Sequence, residues 1–266
     1  MNITKHLKTS DEFDISIEHT ISVKEKLVIW LHGISVNKDE YLNFFKDGAE
    51  YLKTHDVDSI RLDFRGHGLS SGSSRDFSIV GQVLDIRSVI EYAKEYYKKD
   101  VDVFLVGCSF GAPPAIMTAI AEPLIKKICL ISPVLSYKRT FLAPETEWAK
   151  QLFNIDTIKN LYCSNQLYFD DDFCISTKLF EEMKYIIPEC LIKKVEQPIV
   201  VIHGDADSMV PYTVSAEISN RNKRIKFVPI KDMDHGFMDK ADEEGITSKS
   251  LSNKLHIYEL ILEMCR

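Results

Sequence analysis

The sequence predicts a single α/β domain in which a largely parallel sheet is covered by helices on both faces. Three observations carry this. Short apolar runs alternate with segments of helical period from about Phe13 to Pro133, the rhythm of parallel strands joined by crossover helices. The same rhythm returns after Glu196. The 266 residues, 45% of them hydrophobic, can bury one large core, and α/β chains of this length commonly form one domain. Residues 1–266 are therefore expected to be one domain, interrupted by an insertion at about 134–196.

Taken in order, Glu12 to Ile21 alternates apolar and polar residues, as a half-buried strand does. Leu27-Val28-Ile29-Trp30-Leu31 is a continuous apolar run suited to a parallel strand buried on both faces. Tyr41 to Leu52 carries apolar residues at helical spacing. Ser59 to Asp63 is the next strand, Ser78 to Tyr97 an amphipathic helix, Val101 to Val106 a further strand, and Lys127 to Ile131 the strand after it. From Val134 to about Glu196 the rhythm breaks into polar and aromatic sequence that includes Trp148, Phe153, Tyr162, Tyr168, Phe169 and Phe173. This insertion leaves the sheet after a strand's carboxyl end, where α/β sites lie. Its aromatics are expected both to pack it onto the main domain and to line an apolar pocket. Pro198 to Ile202, a helix near Val214 to Asn220, the strand Ile225 to Ile230 and a helix from about Ser250 to Glu263 complete the pattern. No internal repeat, low-complexity tract or second-domain linker is visible.

Chemistry enters at Gly107-Cys108-Ser109-Phe110-Gly111, between the strand ending at Val106 and a helical stretch of small residues. A strand that reverses sharply into a helix has no room for side chains two residues before and two after the turn, and glycine stands at both places. Such a turn strains the serine backbone and exposes its hydroxyl at the strand's carboxyl end, beside the amide of the next residue. Ser109 is the candidate nucleophile, and the Phe110 amide one half of an oxyanion hole. The pattern gains its force from the strand and helix on either side of it.

A serine hydroxyl needs a base, and a histidine base is usually oriented by a carboxylate. After the strand ending at Ile202 comes His203-Gly204-Asp205-Ala206-Asp207, and after Ile230 comes Asp232-Met233-Asp234-His235-Gly236. The chain order Ser109, Asp207, His235 is that of nucleophile, acid and histidine in one large class of α/β enzymes. Asp205 is the alternative acid. Asp232 and Asp234 are read as shaping the His235 loop, and His32, His67 and His203 as bracing turns near the site. None of these histidines has a metal-type partner at i+4, which argues against a zinc hydrolase.

With these parts in place, the sequence resembles the α/β-hydrolase superfamily of serine hydrolases. Within it, the chain is similar to the cinnamoyl/feruloyl-type esterases and to the monoglyceride lipase and serine aminopeptidase-like group. The resemblance spans nearly the whole chain and is carried by His32-Gly33, Asp63-Phe64-Arg65-Gly66-His67-Gly68-Leu69-Ser70, the Ser109 turn, His203 to Asp207 with Val210-Pro211, and Asp234-His235-Gly236. It implies an α/β-hydrolase fold with an inserted lid or cap, Asp207 as the acid, and the amide of Ile34 as the second oxyanion donor. It further implies hydrolysis of a carboxylic ester, on an apolar or aromatic acyl group, with no metal or organic cofactor. Thioester, lipid or peptide hydrolysis and acyl transfer use the same parts, and a noncatalytic ligand-binding relative would keep the fold without turnover. This chain departs from its relatives in having Cys108 where histidine is frequent, Ala112 where glycine is frequent, and Pro113-Pro114 directly after. The helix following Ser109 is therefore expected to start irregularly, and Ile34 to narrow the pocket.

Other classes are disfavoured. A net charge of −7 without a basic stripe argues against nucleic acid as a partner. The Arg65-Gly66-His67-Gly68 loop lacks the lysine of a phosphate-binding loop and reads as structural. Asp170-Asp171-Asp172 reads as a solvated loop rather than a cation site. The amino-terminal residues lack the apolar core of a secretory signal and no stretch is long and apolar enough to span a bilayer. The six cysteines show no C-x-x-C spacing and read as reduced thiols. A small-molecule ester substrate and a cytoplasmic location are expected; oligomeric state is left open.

Overall fold

A computed structural model describes residues 1–22, 26–98, 101–242 and 244–266. Its strands are β1 (Asn2–Lys8), β2 (Asp14–Thr20), β3 (Lys26–Leu31), β4 (Asp58–Leu62), β5 (Asp102–Cys108), β6 (Ile125–Ile131), β7 (Leu167–Tyr168), β8 (Cys174–Ile175), β9 (Ile199–Gly204) and β10 (Ile225–Ile230). The order across the main sheet is β1-β2-β4-β3-β5-β6-β9-β10. Within this sheet β2 runs antiparallel to its neighbours β1 and β4, and the other described pairings are parallel. Strands β7 and β8 form a separate antiparallel ribbon.

The helices are α1 (Phe44–Lys53), α2 (Ile79–Tyr97), α3 (Ala112–Ala121), α4 (Glu147–Leu152), α5 (Ile155–Ser164), α6 (Thr177–Tyr185), α7 (Pro188–Leu191), α8 (Tyr212–Arg221) and α9 (Ser248–Met264). Side-chain parity along the central strands divides the core. Leu27, Ile29 and Leu31 of β3 pack with Ile86 and Val89 of α2 and Ile116 of α3 on one face. Val28 and Trp30 point the other way, onto Phe44, Phe45 and Leu52 of α1 and Ile257, Tyr258 and Ile261 of α9. Strand β5 follows suit, with Val103 and Leu105 on the first face and Phe104, Val106 and Cys108 on the second. A continuous apolar run is what a strand covered on both faces requires. Between β6 and β9, residues Phe141, Ala149, Leu161, Phe180 and Met183 join the first face's core.

Local signals set the boundaries. The Ser78 hydroxyl accepts the Gly81 amide at 3.1 Å to open α2, and the Thr247 hydroxyl accepts the Ser250 amide at 3.3 Å to open α9. The irregular start expected after Ser109 is present. A 3₁₀ turn, Ser109–Gly111, precedes α3, and Pro113 and Pro114 fall in its first turn, where amides lack intrahelical partners.

Two elements differ from the sequence reading. The amino-terminal residues form β1, an edge strand whose one buried residue is Leu7, so no apolar alternation marks it. The helix expected from Tyr41 begins as α1 only at Phe44. Glu40, Leu42 and Asn43 have φ of 61°, 50° and 57°, a backbone incompatible with a continuous right-handed helix.

Candidate active site

The site begins where β5 ends. Ser109 has φ +49°, in the left-handed region that a non-glycine residue occupies at a cost of about 1–2 kcal/mol. The surroundings leave it no alternative. A Cβ on Gly107 would lie 2.7 Å from the Gly111 carbonyl oxygen, and one on Gly111 would lie 2.2 Å from that of Leu31. The strand-to-helix reversal thus needs both glycines, as the sequence spacing implied. The Val134 amide donates to the Ser109 carbonyl at 3.0 Å, tying the turn to the segment that leaves β6. Cys108 is buried, on the opposite face of the sheet from the cap, as packing.

The loops after β9 and β10 meet over this turn. Asp234 Oδ1 accepts from the Ser208 amide and hydroxyl, both at 2.8 Å, and from the His235 amide at 2.7 Å, locking the two loops together. His235 Nδ1 lies 2.8 Å from Asp207 Oδ2, and its Nε2 3.0 Å from Ser109 Oγ. With Nδ1–H assigned as donor to the carboxylate, Nε2 is free to accept the serine hydroxyl proton. Asp207 is held from every side. Its Oδ1 accepts the amides of Met209 at 2.9 Å and Val210 at 2.7 Å, and its Oδ2 also accepts His203 Nε2–H at 3.0 Å. His203 is in turn oriented by the Ser215 hydroxyl at 2.8 Å. Asp205, the alternative acid, is exposed and accepts the Asp232 amide at 2.6 Å, away from the histidine.

Electrostatics follow from burial against pairing. The Asp207 side chain is fully buried, which opposes its charge, yet His235 and His203 beside it more than compensate and hold its carboxyl far below the usual range. Burial likewise opposes an imidazolium at His235, but Asp207, with Glu40 and Asp234 behind it, leaves its pKa above the ordinary histidine value. A hydroxyl paired with an imidazole whose far nitrogen donates to a buried carboxylate can transfer its proton as it attacks an electrophile.

The other sequence candidates have structural places. His32 accepts the Phe64 amide at 3.0 Å and donates to the Gly33 carbonyl at 2.6 Å. His67 accepts the Ser35 amide at 3.2 Å. Burial pushes His32 down to about 4 and His67 well down, so both stay neutral braces. Arg65 is pinned by Asp85 and Asp11, so the glycine-rich loop is a scaffold.

A cavity of about 300 Å³ opens over Ser109 and His235, walled by Ile34, Phe169, Met209 and Met238 among others. Phe169 comes from the segment between β6 and β9, where it packs against Phe141, Trp148 and Phe153. Trp148 Nε1–H donates to the Met209 carbonyl at 2.8 Å, joining that segment to the Asp207 turn. The Phe110 ring faces Tyr137 and Phe141 in the core, and its amide follows directly on Ser109. Sequence reasoning missed Glu40. This carboxyl lines the same cavity and accepts the Gly33 amide at 2.8 Å, but it sits in the polar run Asn37-Lys38-Asp39-Glu40, which reads as solvated loop.

Comparison with known proteins sets these features in context. The family described as Hydrolase_4, serine aminopeptidase S33, matches residues 23–171. The human protein named mitochondrial palmitoyl-protein thioesterase ABHD10 is 25% identical over 210 residues, covering 76% of this chain and 65% of that protein. The chain therefore matches somewhat less than two thirds of the length of that curated relative. Among solved structures, Est1E from Butyrivibrio proteoclasticus, with ferulic acid bound, superposes with a TM-score of 0.77 at 24% identity, covering 97% of this chain and 98% of that one. Alpha/beta hydrolase domain-containing protein 10 from mouse superposes with a TM-score of 0.71 at 18% identity, covering 98% and 99%. These likenesses establish the α/β-hydrolase fold.

Proposed function

The chain belongs to the serine aminopeptidase S33 family of α/β hydrolases, and from that premise we propose that it is a serine hydrolase cleaving carboxylic esters through Ser109, His235 and Asp207. The observation that carries this reading is the unbroken hydrogen-bonded line from Ser109 Oγ through His235 to Asp207 at the floor of an apolar cavity.

In this mechanism Ser109 Oγ attacks the ester carbonyl while its proton passes to His235 Nε2. Asp207 remains ionised and stabilises the imidazolium. The amides of Ile34 and Phe110 receive the developing oxyanion, and the tetrahedral adduct collapses as His235 returns the proton to the departing alcohol. Water then gives a proton to His235 and attacks the acyl-enzyme, releasing the acid and restoring Ser109. No step uses a metal or organic cofactor.

Residues 134–196 act as a cap on the single domain, and their contribution of Phe169 to the cavity favours a small apolar or aromatic acyl group. The ferulic acid bound to Est1E fits that preference. A thioester substrate is the second reading, favoured by the relative named as a palmitoyl-protein thioesterase. Among the described residues no helix is long and apolar enough to cross a membrane. The six free cysteines agree with a reducing compartment, here taken as the cytoplasm.

The test is turnover of matched short and long acyl esters and thioesters by the wild type and Ser109→Ala. Ester hydrolysis that falls by roughly 10⁴-fold or more in the variant is expected. Faster release from thioesters at equal acyl length would move the thioester reading to the front, and full ester turnover by Ser109→Ala would contradict the mechanism.

A further inference from the structure

We propose that Glu40 is a positioning residue for oxyanion stabilisation, anchoring the Gly33 amide and thereby fixing the direction of the Ile34 amide that follows it. The inference rests on the reading of Ser109 as an acyl-transfer nucleophile. It adds a residue from outside the triad and from outside the oxyanion donors.

Three observations converge on Glu40. Its Oε2 accepts the Gly33 amide at 2.8 Å, and its Oε1 accepts the Tyr41 amide at 3.1 Å. At Gly33 a Cβ would meet Ser109 Cβ at 3.4 Å and the two Glu40 carboxyl oxygens at 3.7 and 3.8 Å. The carboxyl group, the Gly33–Ile34 turn and the nucleophile therefore converge at one point. Cys108, next to Ser109, lines the same cavity as this carboxyl.

The backbone records a cost for this placement. Glu40 sits at φ 61° and ψ 174°, a region that is essentially confined to glycine. Leu42 and Asn43 also have positive φ. A side chain held inward from such a backbone is over-determined by its partners, and its partners here are the Gly33 and Tyr41 amides. Burial alone opposes its ionisation and raises its pKa. Ionised or neutral, it keeps an oxygen that can accept the Gly33 N–H, and an acceptor is all that positioning requires.

The consequence is specific to the transition state. Freed from Glu40, the Gly33–Ile34 peptide could turn, and a donor off its line by a fraction of an ångström loses most at the oxyanion and little in the ground state.

The experiment compares wild type, Glu40→Gln and Glu40→Ala for kcat and KM on an aryl ester, and for inhibition by an aryl trifluoromethyl ketone. That ketone adds to Ser109 and places an oxyanion in the hole. Thermal melting reports folding. Glu40→Ala is expected to lower kcat by roughly 10- to 100-fold with KM within about threefold, and to weaken the ketone by the same factor. Glu40→Gln, which removes the charge and keeps the acceptor, is expected to stay within about threefold of wild type in both readouts. Should Glu40→Ala not fold, Glu40→Met, which fills the space without an acceptor, takes its place. Full kcat in a folded variant lacking the acceptor overturns the proposal. So does a loss confined to KM, a kcat loss with undiminished ketone affinity, or a Gln variant as impaired as Ala. A wild type that neither hydrolyses the ester nor binds the ketone defeats the Ser109 reading and this inference with it, whereas with an active wild type the variants test Glu40 alone.

Discussion

His235 is where opposing forces can be read in a measurable pH dependence. Desolvation pulls its pKa down, and the charge and hydrogen bond of Asp207, supported by Glu40 and Asp234, pull it up by more. The neutral imidazole is the base, so kcat/KM is expected to rise with pH and reach half its plateau above about 6.5, the ordinary histidine value. In Asp207→Asn the stabilising charge is gone, so the midpoint moves to lower pH while the plateau falls by roughly 10⁴-fold as the tautomer is lost. A pH–rate profile of both proteins checks this, and an Asn variant whose midpoint moves upward would contradict it. At this scale the sequence was legible where a residue sits in a constrained pattern. Ser109 stands between Gly107 and Gly111, and His235 follows a strand end. The choice between Asp205 and Asp207 could not be made from residues alone, because neighbours two apart in a turn differ only in where the turn sends them. Glu40 was invisible because its burial depends on positive-φ geometry that no local pattern announces.

Elements carry the next level. The turn from β5 into α3 was legible because its requirements are local, two glycines and two prolines at fixed offsets. Strand β1 was not, since an edge strand with a single buried side chain lacks periodicity. The region between β6 and β9 read only as an aromatic-rich interruption. Trp148 of α4, with Phe153 and Phe169, packs against Phe141, and α5 meets α6 through Tyr162 and Phe180, contacts between segments that the sequence does not announce. Phe169 is the point at which this region enters the cavity. Truncating it removes apolar contact with a bound acyl group together with its packing on Phe141, Trp148 and Phe153, and Phe169→Ala is expected to raise KM for aryl-acyl esters by roughly 10-fold. Acetyl esters, too short to reach it, should be nearly unaffected. Steady-state kinetics on the two substrate series decides this, and an equal loss on both would mean that the ring supports the fold rather than the pocket.

For the whole molecule, the parallel arrangement turns sequence order into a site. Strands β3, β5, β9 and β10 run the same way, so the loops at their carboxyl ends, carrying Gly33, Ser109, Asp207 and His235, gather along one edge of the sheet. Motifs separated by up to 126 positions, the span from Ser109 to His235, thereby come within hydrogen-bonding distance. Alternating apolar runs and helical segments made the fold legible without structure, because a parallel sheet leaves few topologies open. The acyl group was not legible, since pocket shape depends on how the cap settles. The most direct test is reaction with a fluorophosphonate, followed by intact mass and peptide mapping. The account predicts one adduct per chain, on Ser109, absent from Ser109→Ala and formed much more slowly in His235→Ala. An adduct on another residue, or none on a folded wild type, would contradict it.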